Sequence, residues 1–182
     1  MGKNRIKTDR IIAFSAMSIS LMTLIIFIYQ TSMIREQNRL SVTPRLTFNS
    51  SEIANDSLIT INFELRNNGL GPAIIDSIAI VFKGQRYEAD YRSFFEETTP
   101  KLYQFVSIPR TVLTSPGEAI LAGESLTMFT AATPKAHNAK LQESITSGDF
   151  NAFDVEVIYS SIYKEQWKIR LKSDTSIPQK IN

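Results

Sequence analysis

Two hydrophobic rhythms divide this chain. From Ile11 to Ile34 there is no charged residue, and the run has no polar face of charges. From Leu58 onward the apolar positions recur at every second residue, the period of a half-buried strand. The apolar part of the first run, Ile11 to Tyr29, is close to the roughly 20 helical residues that cross about 30 Å of hydrocarbon. A core helix at the surface of a domain this size would carry a polar face of charges, which this run lacks. A cleaved signal peptide would be followed by a small-residue cleavage site, whereas "YQTSMIREQNRL" follows here. The pattern predicts an uncleaved transmembrane helix over 11–30 and a helix-compatible stalk over 31–43, with Pro44 disfavouring helix at Thr43.

The second rhythm predicts strands. In "LITINFELR" Ile59, Ile61, Phe63 and Leu65 share one face, and Thr60, Asn62, Glu64 and Arg66 the other. "NNGLGPA" supplies turn chemistry, and Gly69 and Gly71 are expected in backbone conformations that disfavour a β-carbon. "IIDSIAIVF" is apolar on both sides for much of its length, as a central strand is, and "KGQRYEA" continues it as a hairpin with Gly84 at the turn. "DYRSFFEETTPKLYQF" reads as a crossing loop with a helical turn or two. A strand is expected over about Glu124 to Ala132. A short helix is expected in "PKAHNAKLQESITSG", with Leu141 and Ile145 on one face and Gly148 near its end. "NAFDVEVIYSSIYKEQWKIRLK" reads as a hairpin, with Trp167 leading the apolar side of the last strand. A sandwich domain over 44–173 and a loose tail over 174–182 complete the prediction.

With no βαβ rhythm, the fold class expected is mainly β: an antiparallel sandwich of about seven strands with one short helix. "RNNGLGPAIIDSIAIVF" resembles the corner that joins the second and third strands of bacterial Ig-like domains of the adhesion-module type. Together with one apolar anchor, "REQNRLSVTPRL" and the closing "VIYSSIYKEQW", it makes the chain similar to small bacterial single-pass membrane proteins with an extracytoplasmic Ig-like domain. The resemblance implies a fold and says little about activity.

Charge gives the anchor a direction. Residues 1–40 carry Lys3, Arg5, Lys7, Arg10, Arg35 and Arg39 against Asp9 and Glu36, a net +4 within a total of +2, so the remainder is −2. Four basic residues, Lys3, Arg5, Lys7 and Arg10, precede the span against three, Arg35, Arg39 and Arg45, after it; this slight excess puts the basic segment 1–10 in the cytoplasm and the domain outside it, with the protein expected in the inner (plasma) membrane and the lipid bilayer as its first partner. The remainder lacks the basic footprint of a nucleic-acid binder. There is no cysteine, which excludes disulfides, thiol nucleophiles and cysteine metal sites.

Candidate chemistry is sparse. His137 is the single histidine, so neither a histidine triad nor a two-imidazole metal site forms within one chain, and an exposed or capping role is the plainer reading. Ser161 and Lys164 match S-x-x-K, but in a hairpin turn and without the companion motifs of penicillin-recognising enzymes. Glu96 and Glu97 diverge as neighbours on a helix. Asp154 and Glu156 share a strand face about 7 Å apart, most simply a solvated one. Asn49 and Asn55 begin glycosylation patterns that matter only in a eukaryotic secretory pathway. No cofactor is expected.

Two residue sets point toward a partner. Tyr91, Phe94, Phe95, Tyr103 and Phe105 lie in the least regular segment, where they serve either core packing or a partner surface. Ala13, Ala16, Ser20 and Thr23 follow one helix face, where small residues let helices approach in lipid, although serine and threonine also bond back to their own helix. The function expected is a non-enzymatic, membrane-anchored extracytoplasmic interaction module: an accessory subunit, an immunity-type inhibitor or an envelope sensor. Its partner would be a membrane or extracytoplasmic protein or a second copy. An envelope hydrolase or carbohydrate-binding protein using the carboxylates is the alternative, and a structural surface protein a third reading.

Overall fold

The computed structural model describes residues 3–112, 115–146, 152–172 and 177–181. The chain divides into two compact units, Met1–Ser41 and Val42–Asn182. The first is one helix, α1 (Lys3–Leu40). Its stretch from Thr8 to Leu40 is long and apolar enough to cross a membrane, and none of its apolar window is buried against protein. α1 ends at Leu40, three residues before Thr43, where Pro44 disfavours helix.

The second unit is mainly β, with ten strands among the described residues rather than about seven. One antiparallel sheet contains β1 (Leu46–Ala54), β2 (Leu58–Asn67), β5 (Ser107–Thr111) and β7 (Ser125–Pro134), in the order β1-β2-β7-β5. The other contains β3 (Ala73–Phe82), β4 (Gln85–Glu88), β8 (Phe153–Ser160), β9 (Gln166–Arg170) and β10 (Gln179–Lys180), in the order β10-β9-β8-β3-β4. A two-residue strand, β6 (Ala119–Ile120), pairs with the start of β3. Several of the extra strands lack an alternating signature. β1 is an exposed edge reading "LTFNSSEIA", β5 contains Pro109, and β6 and β10 have two residues each.

Both sheets feed one core. Leu46, Leu65 and Phe129 of the first sheet and Ile75, Ile80, Val155, Val157 and Tyr159 of the second belong to a single buried cluster. Phe153, Val155, Val157 and Tyr159 point inward along β8, as their alternation predicts. β3 is apolar on both sides for a local reason. Its register with β8 shifts between Ile75 and Ser77, so a bulge at Asp76 moves the inward set from Ile75 to Ile78, Ile80 and Phe82.

The segment read as a crossing loop holds two helices, α2 (Tyr91–Thr98) and α3 (Pro100–Tyr103). Asp90 caps α2 by accepting from the Ser93 N–H at 3.3 Å, and Pro100 begins α3, where its missing N–H costs nothing. A 3-10 turn (Lys135–His137) and α4 (Asn138–Thr146) follow β7, so among its described residues the domain has three short α-helices instead of one. Leu141 is buried as expected, whereas the Ile145 side chain and Gly148 lie outside the described residues. The tail is not loose where it is described. Gln179 and Lys180 pair with Lys168 and Trp167, and Lys180 Nζ meets Glu165 Oε1 at 2.5 Å. Residues 174–176 and 182 lie outside the described residues.

Candidate functional site

The polar residue most deeply built into the domain is Asn67, fully buried at the end of β2. Its Nδ2 donates to the Gly71 carbonyl at 2.7 Å and to the Ile120 carbonyl at 2.9 Å. Its Oδ1 accepts the Arg45 N–H at 3.1 Å and the Gly69 N–H at 3.0 Å. Its own N–H donates to the Glu124 carbonyl at 2.9 Å, and its carbonyl accepts from the Gly123 N–H at 2.8 Å. One side chain and its peptide thus join the start of β1, the β2–β3 corner, β6 and the turn before β7.

The corner glycines work differently from expectation. Neither Gly69 nor Gly71 has a positive φ. A β-carbon at Gly69 would run into the backbone of Thr43, Pro44 and Arg45, and one at Gly71 into that of Val42. What excludes side chains here is the close approach of the segment that enters the domain. The Leu70 N–H donates to the Thr43 carbonyl at 3.0 Å and the Asn68 N–H to the Arg45 carbonyl at 2.8 Å. The Leu46 N–H donates to the Tyr159 hydroxyl at 3.3 Å, and burial pushes that phenol up to about 12.

The aromatic set splits. Tyr91, Phe94 and Phe95 are at most 5% exposed, so they belong to the core and cannot form a partner surface. Phe94 meets Phe82 and Phe153 edge-on or tilted at 5.6 and 5.7 Å, and Tyr91 stacks on Phe129 at 4.5 Å. Phe95 reaches both Phe129, at 5.9 Å, and Phe153, at 5.2 Å. The aromatic face of α2 therefore bridges β7 and β8, while its other face, with Arg92, Ser93, Glu96 and Glu97, is exposed. Tyr103 and Phe105 are half-buried; Phe105 lies edge-on to His137 at 5.4 Å. His137 is half-buried rather than exposed, and its buried Nδ1 has no hydrogen-bond partner among the described residues.

Glu156 corrects the solvated-face expectation. It is 5% exposed on the outer face of the second sheet. Its Oε2 accepts from Arg170 Nη2 at 2.7 Å and Nε at 3.0 Å, and its Oε1 from Arg86 Nη1 at 2.8 Å. Lys168 Nζ lies 3.9 Å from Oε2. Burial pushes this carboxyl up, but the hydrogen bond and charge of Arg170, with the charges of Arg86 and Lys168, outweigh it and hold the group below its ordinary range. Asp154 Oδ1 accepts from the Val155 and Lys172 N–H groups, so the two carboxylates do not converge on a shared space. Among the described residues no three His, Asp or Glu side chains gather as metal ligands would.

Ser161 and Lys164 bound the β8–β9 turn. The Lys164 N–H donates to the Ser161 carbonyl at 2.9 Å, Lys164 has φ +65°, and Ser161 Oγ accepts from the Tyr163 N–H at 3.2 Å. The hydroxyl serves the turn, and the helical geometry that sets lysine beside serine in S-x-x-K enzymes is absent here. In α1, Ser20 Oγ donates to the Ala16 carbonyl and Thr23 Oγ1 to the Ile19 carbonyl, both at 2.9 Å, so both hydroxyls bond within their own helix.

An apolar cavity of about 50 Å³ is lined by Ile61, Phe63, Tyr103, Ile108 and Leu141, among others. Cofactor and drug-like sites run to roughly 300–1,000 Å³, so this one matches an aliphatic side chain in size. Comparison of the chain with protein-family models, curated proteins and solved structures finds no match.

Proposed function

We propose that this protein is a non-enzymatic interaction module, held at the plasma membrane by α1, with its N-terminus in the cytoplasm and an Ig-like β-sandwich outside. The observation that carries this reading is α1 itself: a helix long enough to span, with its apolar window unburied by protein and its basic cluster at the start. The strand order supports the Ig-like part. Labelled in chain order, β1-β2-β7-β5 corresponds to A-B-E-D and β9-β8-β3-β4 to G-F-C-C′. The local use of Glu156 and Ser161 supports a binding role over hydrolysis. The partner class stays as the sequence suggests: a membrane or extracytoplasmic protein, or a second copy meeting the Ala13, Ala16, Ser20 and Thr23 face. On that view Ala16→Leu with Ser20→Leu weakens crosslinking without preventing insertion.

Reporter fusions at Asn182 test the reading. Alkaline phosphatase should be active there and a fluorescent protein dark. Fluorescence without phosphatase activity would place the domain in the cytoplasm and overturn the proposal.

A further inference from the structure

One end of the domain is defined by its connections. β2 ends there at Asn67, β3 begins at Ala73, β8 ends at Ser160, and the chain enters at Val42–Leu46. Ala73 pairs with Ile120, Ile74 with Ser160, and Ser160 with Gln166, while the Ile181 N–H donates to the Gln166 carbonyl at 2.9 Å. The corner at Leu70, the turn Leu121–Glu124, the turn Ser161–Lys164 and Ile181 therefore all belong to this end.

That end is unusually apolar for a set of turns. Leu70 is 72% exposed, Leu121 53%, Tyr163 50%, Ile162 49% and Ile181 48%. Among the described residues of the domain unit, Ile53 and Ile177 are the other two large apolar side chains so exposed, and both lie toward the opposite end. Isolated exposed apolar residues need no explanation, but five at one end against two elsewhere do. Turn tips ordinarily take polar residues, and Ile162 and Tyr163 fill the two central positions of their turn. Three of the acidic groups beside these tips turn back on the protein. Glu124 Oε2 accepts from the Leu121 N–H at 3.3 Å, Glu165 meets Lys180, and Asp76 accepts from Ser160 and Gln166. Glu118, Arg45 and Lys164 are exposed there.

Chain length says what lies near this end. Eleven residues separate Gln30, the last residue of the expected span, from Val42. As helix, which α1 is through Leu40, that connection spans about 18 Å, and even fully extended it reaches only about 40 Å. The headgroup layer of one leaflet is itself about 5–8 Å deep. An end tethered to a membrane by so short a stalk, with aliphatic tips, one tyrosine and the exposed cations Arg45 and Lys164 beside the exposed Glu118 and Glu124, has the apolar and aromatic composition of an interfacial contact.

We infer that the domain rests this end on the lipid surface, seating Leu70, Leu121, Ile162, Tyr163 and Ile181 in the interfacial layer. The inference depends on the reading of α1 as a membrane span. The anchor then fixes the domain's orientation, presenting the opposite end and the two sheet faces to a partner.

The chain has no cysteine, so single labels are clean. Full-length Leu70→Cys, Leu121→Cys, Tyr163→Cys, Ile53→Cys and Leu21→Cys would each carry an environment-sensitive fluorophore in phosphatidylcholine–phosphatidylglycerol vesicles. The quencher is a nitroxide borne on lipid, and Trp167 fluorescence reports folding. Labels at 70, 121 and 163 should be quenched at least about twofold more than at 53, with 21 quenched most. Quenching at 70, 121 and 163 equal to that at 53, with 21 still quenched, overturns the inference and leaves the span intact. An unquenched label at 21 overturns the span and the inference with it. Shielding of 70, 121 and 163 that appears only at high protein-to-lipid ratio, without lipid quenching, assigns this end to a second copy and also overturns the inference.

Discussion

Asn67 and Glu156 are both buried polar side chains with every charge or dipole answered, yet they hold the domain in different ways. Asn67 is answered by backbone groups from the domain entry, the β2–β3 corner and β6. Glu156 is answered by the tips of long side chains, Arg86 and Arg170, which are themselves 52% and 47% exposed. Removing one partner of a buried hydrogen bond leaves the other unpaired at a cost near its full desolvation. Backbone partners cannot swing away to water, whereas half-exposed guanidinium groups can. The comparison separates a geometric lock from an electrostatic one, and the geometric lock should be much the stronger.

The sharpest way to break the comparison is at the lock's neighbour. Gly71→Val drives a β-carbon into the Val42 backbone, which can give way only if the entry segment moves. A loss of more than ~3 kcal/mol is expected, read as a lowered urea midpoint of the full chain in detergent. Gly84→Ala is the control. Gly84 has φ +81° and open space around it, so only conformational strain of about 1 kcal/mol should appear. Equal losses at the two glycines would show that the close approach at the corner has no energetic weight.

Asn67→Ala comes next. It leaves the Gly71 and Ile120 carbonyls and the Arg45 and Gly69 N–H groups without their partner, a loss of about 3 kcal/mol or more. Asn67→Asp keeps the shape but points an acceptor at two carbonyls, so it should cost nearly as much. If Asn67→Asp unfolds at the wild-type midpoint, the two donated bonds are not what holds the corner.

These two sites also mark where sequence reading succeeds and fails. The turn chemistry of "NNGLGPA" located the corner, because glycine, asparagine and proline punctuate a chain locally. The cause was not local. What excludes a β-carbon at Gly71 is Val42, 29 positions away, and no pattern within the corner encodes that contact. α1 was legible because length and lack of charge alone mark a helix long and apolar enough to span a membrane. α2 was not, because eight residues carry too little periodicity to separate a core helix from an aromatic loop surface, so Tyr91, Phe94 and Phe95 were ambiguous until their neighbours on β7 and β8 were known. The alternation in β8 placed Glu156 on the outer face correctly. Its burial depends on Arg86, which arrives from a different hairpin.

The smallest expected effect tests the electrostatic lock through pH. A carboxylate held below its ordinary value of 4.5 in the folded state contributes stability that is full above the unfolded-state value. That contribution is lost as pH falls through the lower, folded-state value, because protonation then removes the charge that Arg170 and Arg86 answer. Glu156→Gln removes the titration and keeps the shape. Near neutral pH it should cost about 1–2 kcal/mol, less than the corner substitutions, since the cations it releases regain water. Below pH 4.5 the gap between variant and wild type should narrow, so that the acid limb of the Glu156→Gln stability curve is the flatter one. Asp90, whose carboxylate is held low by its hydrogen bonds to Ser93, shares this acid limb and keeps the variant's curve from becoming level. A gap that stays constant from neutral pH into acid would mean that Glu156 holds its place by shape alone, and the distinction between the two buried residues would collapse.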